Sequence, residues 1–253
     1  MKKTLLTSML AIGIITQASA ANFYLGGRMS YSHNNISGMK TTLYAPDDDE
    51  PSILHVDRNT VKGDSFGSVR GKIAAGLALP ADHLHGAFRV EAEFGLSTKE
   101  EFKMVVDGEN FPNDPAQLKL GKQTFFVNAY YDFNATNKIK PYAGLGIGLA
   151  RVKVDMNWAA ENPSIPDLFF FVNESANLRN FAWNLGFGVA YSLTDNIALD
   201  LGYRFTDMGK IDLQTVNMVD ATELGGDIFA GSTMNITTNL RSHEVLFGVR
   251  YAF

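Results

Sequence analysis

Leu240-Arg-Ser-His-Glu-Val-Leu-Phe-Gly-Val-Arg-Tyr-Ala-Phe253 carries a two-residue rhythm. Val245, Phe247, Val249, Tyr251 and Phe253 fall on one face, and Ser242, Glu244, Leu246, Gly248, Arg250 and Ala252 on the other. Successive side chains of a β-strand point to opposite sides. One face is therefore apolar and aromatic, while the other holds two charges and a glycine. A soluble sandwich would bury the first face and give the second to water. A transmembrane barrel gives the apolar face to lipid and closes the charges into a narrow lumen.

Seven further segments repeat the rhythm with the same polarity: Phe23–Tyr31, Ser68–Leu79, Phe88–Leu96, Thr124–Phe133, Tyr142–Val154, Phe181–Tyr191 and Ile197–Thr206. Each supplies roughly the nine to eleven residues of a membrane strand. Gly26, Gly76, Gly95, Gly144, Gly146, Gly148, Gly186, Gly188, Gly202 and Gly248 share the charged face. Small residues suit the crowded interior of a narrow barrel and have no reason to mark a solvent face. Tyr24, Phe126, Tyr130 and Tyr142 point inward by the same parity and read as lumen fillers.

The connections alternate. Pro80–Gly86, Asn134–Lys140 and Thr194–Asn196 are short and turn-like, whereas Asn34–Phe66, Lys99–Lys122, Asp155–Arg179 and Asp207–Asn239 are long. Short turns at one end and long loops at the other predict an eight-stranded antiparallel transmembrane up-and-down β-barrel. Four long extracellular loops and two periplasmic termini complete it.

Composition agrees. Met1-Lys2-Lys3, the apolar run Leu5–Ile15 and Ala18-Ser19-Ala20 read as a cleaved signal peptide over residues 1–20, leaving one barrel domain over residues 21–253. The net charge of −5 becomes −7 when Lys2 and Lys3 are removed, which is no nucleic-acid profile. There is no cysteine, and hence no disulfide or thiolate metal site. No later stretch reaches the apolar length of a membrane helix, and the mean hydropathy of −0.06 fits strands diluted by polar lumen residues.

With these features in view, the chain resembles the small OmpA/opacity-type outer-membrane barrels. The resemblance rests on Pro141-Tyr-Ala-Gly-Leu-Gly-Ile-Gly148, Asn184-Leu-Gly-Phe-Gly188, Leu201-Gly-Tyr-Arg-Phe205 and Gly248-Val-Arg-Tyr-Ala-Phe253. It implies a Gram-negative outer-membrane protein acting as a surface antigen, adhesin, narrow pore or anchor. Phe247, Val249, Tyr251 and Phe253 are similar to the terminal signal read by the outer-membrane assembly machinery.

By parity the lumen receives Arg28, Arg70, Lys72, Arg89, Arg204 and Arg250, against Glu91, Glu93, Asp132, Asp200 and Glu244. Buried charges must pair or keep water, so they read as a salt-bridge plug, with the selectivity lining of an ion path as the alternative. Outside, Arg151, Lys153, Arg179 and Arg241 stand just above the apolar band, where charges are cheap. They are expected either to meet lipopolysaccharide phosphates or simply to snorkel. Leu168, Phe169, Phe170, Phe171 and Val172 read as an apolar patch in a long loop, either a contact site or packed beneath its neighbours.

Enzymatic chemistry finds no foothold. Ser242-His243-Glu244 and Ser32-His33 are strand neighbours that point opposite ways, so neither forms a relay. His83 and His85 lie in a turn with no nucleophile nearby, and His55 lies in a long connection. Gly144-x-Gly-x-Gly148 opens no helix and so is no dinucleotide loop; Asp47-Asp-Asp-Glu50 lacks the spacing of a calcium loop. The expectation is a non-enzymatic surface protein without cofactors, working through its outer loops on a host or cell-surface ligand. A narrow channel is the alternative, and a lipid-A-modifying enzyme is a more distant one.

Overall fold

Alternating apolar and polar side chains from the first strand to the last leave the backbone one arrangement compatible with lipid: a sheet whose edges meet. The structure, a computed structural model, describes residues 22–45, 52–54, 65–81, 84–105, 115–134, 138–161, 169–217, 219–220 and 233–253; residues 1–20 lie outside this set. The strands are β1 (Asn22–Ala45), β2 (Ser52–Leu54), β3 (Ser65–Ala81), β4 (Gly86–Ser97), β5 (Glu100–Val105) and β6 (Pro115–Phe133). They continue with β7 (Ile139–Glu161), β8 (Phe169–Ser192), β9 (Ile197–Asn217), β10 (Val219–Asp220) and β11 (Thr233–Ala252).

Eight of them form the wall in the order β1-β3-β4-β6-β7-β8-β9-β11, each antiparallel to the next. β11 pairs back onto β1, from Tyr24↔Ala252 outward to Tyr44↔Thr233, and closes the barrel. β5 carries the line of β4 along β6, while β2 and β10 pair with the outer parts of β1 and β8.

Within the band, parity sorts the faces. On β8, Phe181, Trp183, Leu185, Phe187, Val189 and Tyr191 are exposed to the outside, and Ala182, Asn184, Gly186 and Ala190 are buried. That run spans about 33 Å of strand and, tilted by roughly 40°, about 25 Å of height, which is the lipid-facing band of an outer-membrane barrel. Aromatic rings gather at the periplasmic edge: Phe23 lies 5.5 Å from Phe253, and Tyr131 lies 5.0 Å from Phe88 and 4.8 Å from Phe133. The Tyr131 hydroxyl donates to the Leu84 carbonyl at 2.6 Å, tying the girdle to the turn at His85.

Two lipid-face glycines escape the sequence rule. Gly27 and Gly71 point outward and leave a trough of about 550 Å³ beside Met29, Ile73, Phe94 and Phe247.

The strands run much farther than the lipid-facing rhythm predicts. β1 continues to Ala45, β6 starts at Pro115, β7 reaches Glu161 and β8 begins at Phe169, so large parts of the expected loops are wall. The reason is a swap of polarity. Above the band, Leu120, Val152, Val154, Met156, Met208, Ile211, Leu213 and Leu240 are buried inside. Arg151, Lys153, Lys210 and Arg241 meet the solvent. Where the medium outside changes from lipid to water, the apolar side moves inside. A search for apolar-out strands misses that half.

Phe169–Val172, expected in a loop, is also strand. It lies opposite Glu161–Trp158 of β7, and Phe170 and Phe171 also face Asp220 and Val219 of β10. Leu168 and the side chains of Phe169–Val172 lie outside the described residues, as do Asp47–Glu50, His55 and His83.

One bulge carries β9 across the swap. Asn239 faces Lys210 and Arg241 faces Asp207, so Met208 and Gly209 together oppose Leu240. Gly209 has φ 75°, a left-handed conformation that costs an L side chain energy. Its N–H donates to Asp207 Oδ1 at 2.9 Å. The Asn180 amide donates to the Met208 and Lys210 carbonyls at 3.1 and 2.7 Å. The extra residue turns both Met208 and Ile211 inward.

Candidate functional site

Ten of the eleven expected lumen charges are buried, and Arg250 is nearly so. They pair with one another in layers. Nearest the periplasm, Arg250 donates to Asp200 at 2.8 and 2.9 Å, and Arg89 donates to Asp132 at 2.7 Å. Arg250, Arg89 and Asp132 face a cavity of about 290 Å³ that is also lined by Lys140, Asp195 and Asn196. The Arg89 guanidinium lies 4.6, 5.2 and 5.9 Å from the ring centres of Tyr130, Tyr142 and Tyr24. The inward tyrosines thus act as a cation–π cup. Glycines make room for them. A Cβ on Gly76 would sit 2.5 Å from the Tyr24 ring, one on Gly144 would strike Tyr130, and one on Gly188 or Gly202 would strike Tyr142.

At mid-height, Arg28 grips Glu91 with two bonds of 2.5 and 2.6 Å and reaches Glu93 at 2.9 Å. Arg204 grips Glu93 from across the lumen at 2.5 and 3.1 Å and donates to the Tyr130 hydroxyl at 2.8 Å. The Tyr24 hydroxyl donates to Glu91 at 2.9 Å, and the Asn184 amide donates to Asn128 at 3.0 Å. Planar guanidinium–carboxylate pairs satisfy several donors and acceptors at once, which is what a low-dielectric interior demands. Higher still, Glu244 accepts from Arg70 at 2.7 Å and from Lys72.

Two charges of this network were not legible as lumen residues. Lys122 donates to Glu100 at 3.0 Å and to Asn34 at 2.9 Å, and Asn34 also receives Arg70 at 2.9 Å. Both fall within the long segment Lys99–Lys122 between two lipid-facing runs. The signal was present, because Lys122 keeps the parity of Thr124 and Phe126. Lys122 lies above the lipid band, where burial, helped by the nearby Arg70 charge, lowers its pKa to about 7.

Outside, Arg151, Lys153, Arg179 and Arg241 are all exposed on the rungs above the band. They are not equivalent. Arg241 lies 3.1 Å from Asp207 and Lys153 lies 3.5 Å from Asp155, whereas Arg151 and Arg179 are register partners facing each other across β7 and β8. Ser242 and Ser32 are buried in the lumen while His243 and His33 face outward. His243 instead shares a 2.6 Å hydrogen bond with the Tyr203 hydroxyl and packs at a tilt against the Phe205 ring, 5.2 Å between centres. Phe247, Val249 and Tyr251 form one exposed row on β11, which Phe253 continues just past its end.

A closed barrel with a lipid-facing band and a filled, ion-paired lumen has a counterpart among known families. The outer membrane protein beta-barrel domain matches residues 4–253. The chain belongs to this family. It is therefore an outer-membrane β-barrel of the opacity/OmpA type. Among curated relatives, the outer membrane protein PagN of Salmonella typhimurium is 27% identical over 94% of this chain and 92% of its own. Opacity protein V28 of Neisseria gonorrhoeae is 22% identical over 91% and 96%. A Rickettsia conorii protein named among the adhesins is 25% identical over 72% and 66%. The neisserial surface protein A structure covers 93% of this chain and 100% of its own at 19% identity, with a TM-score of 0.47.

Proposed function

We propose that this outer-membrane barrel is a non-enzymatic attachment protein that meets a host or other cell-surface ligand with its outer end. The observation that carries the reading is the polarity swap. Beyond Leu149, β7 runs on to Glu161, on the order of 40 Å of strand. The barrel has its own apolar core there, built on Val152, Val154 and Leu240. A folded extension of that kind holds the outer end away from the membrane, which a pore or anchor has no need to do. The adhesin's name carried by the Rickettsia conorii relative supports the same reading. The exposed row from Phe247 to Phe253 at the end of the chain is offered to the assembly machinery during insertion.

The test replaces residues 157–174, at the outer end of β7 and β8, with a short turn. Cells displaying the full protein should bind host cells or their surface glycans, and cells displaying the shortened protein should not. The shortened barrel should keep the heat-modifiable migration of a folded one. Equal binding by both would remove the outer end of β7 and β8 from the function.

A further inference from the structure

Arg151 and Arg179 are an unusual pair. They face each other directly in the β7–β8 register, both outward and both exposed. Facing residues on an antiparallel pair hold their Cβ atoms about 4.5–5.5 Å apart, and like charges there are destabilising. Neighbouring outward cations are balanced. Lys119 lies 2.8 Å from Glu101, Lys153 lies 3.5 Å from Asp155, Lys210 lies 3.8 Å from Asp212 and Arg241 lies 3.1 Å from Asp207. Among the described residues neither Arg151 nor Arg179 has a carboxylate within 4.0 Å. Arg151 Nε instead donates to Asn177 Oδ1 at 2.7 Å, which orients the guanidinium and leaves its terminal nitrogens available.

Depth selects the ligand. The rung just below the pair is Leu149 facing Phe181, the outermost apolar rung of the lipid band on these strands, followed by Ile147 facing Trp183. An anion between the two guanidiniums lies at headgroup level, with acyl chains against the rungs beneath. We propose that Arg151 and Arg179 form a two-arginine clamp for a phosphate of lipid A, the phosphorylated lipid of the outer leaflet. Two guanidiniums can give a phosphate up to four charge-assisted hydrogen bonds. The clamp relieves the repulsion of the facing arginines. Lys153 and Arg241, already neutralised, take no part. The site lies on the outer wall, apart from the surface proposed for attachment.

The full-length barrel is reconstituted in phosphatidylcholine nanodiscs containing bisphosphorylated lipid A, the same lipid stripped of its phosphates, or phosphatidylglycerol. Lipid retained by the protein is counted by native mass spectrometry. The natural chain is expected to retain the bisphosphorylated form about tenfold over either competitor, as one extra charge-assisted bond would give. R151Q/R179Q loses that preference, R151K/R179K keeps part of it, and R241Q keeps all of it. All variants should keep the heat-modifiable migration of a folded barrel, since the substituted side chains are exposed. The proposal is overturned if the double glutamine variant retains the preference, or if R241Q abolishes it equally. Equal retention of phosphatidylglycerol by the natural chain also overturns it. So does arginine-dependent binding of sucrose octasulfate without lipid A preference, which would assign the pair to a soluble polyanion.

Discussion

Glu93 is where the mid-lumen ion pairs converge. It accepts from Arg28 and Arg204 and has Lys72 within 4.0 Å. Glu93→Gln leaves those cations one carboxylate short, and breaking a buried pair costs on the order of 3–5 kcal/mol. Urea unfolding of the lipid-reconstituted barrel should register this as a lower midpoint; an unchanged midpoint would mean that the lumen rearranges freely around the loss. Lys122 behaves differently because burial lowers its pKa to about 7 from the ordinary 10.5. Below the lower value both folded and unfolded chains hold the proton, and above the higher value neither does. Between them the unfolded chain binds more protons, so stability rises with pH across that window. Lys122→Met should flatten this rise when unfolding free energies are compared at about pH 7 and about pH 10. If the variant keeps the natural slope, another group is its source.

At the scale of the element, β9 shows how one residue keeps a strand useful in two media. The bulge at Met208 and Gly209 lets Arg204 and Thr206 face the lumen below while Ile211 and Leu213 fill the core above. A side chain at Gly209 meets a left-handed backbone, which costs about 1–2 kcal/mol. Gly209→Val should therefore loosen the outer part of β9, seen as faster amide exchange at Ile211 and Leu213. The lipid-facing run from Leu199 to Phe205 should exchange as before, whereas an equal change in both would make the bulge a global rather than a local device. The two halves of β9 were also unequally legible. Leu199, Leu201, Tyr203 and Phe205 alternate openly with Asp200, Gly202, Arg204 and Thr206. Above them the bulge breaks the count, and Lys210 and Asp212 look like loop residues until water is recognised as the outer medium.

The same lesson holds for the whole molecule. The eight lipid-facing runs and the eleven inward charges follow from parity alone, because lipid tolerates one polarity and sheet geometry fixes the spacing. Parity also says which charges share the lumen but not which ones meet. Arg204 of β9 and Glu93 of β4 come together across the lumen, a juxtaposition set by closure. Lys122 and Glu100 escape this count because the apolar-out rhythm of their strands stops at the edge of the band. A lumen crossed by these layers and topped by Leu120, Met208 and Leu240 should show no sustained single-channel steps in planar bilayers. Robust conductance abolished by Arg204→Ala or Glu91→Ala would instead make the charges a selectivity lining.

The polarity swap has a further consequence for where the barrel can reside. The band on β8, from Tyr191 to Phe181, ends abruptly at Arg179, and that on β7 ends at Arg151. A bilayer thicker by one rung would bring both arginines into hydrocarbon, and the barrel cannot slide to accommodate it because aromatic rings fix its other edge. Sliding is replaced by a penalty for hydrophobic mismatch, which favours the thin outer membrane over thicker bilayers. The chain thus measures the thickness of its surroundings with the same residues that separate its two cores.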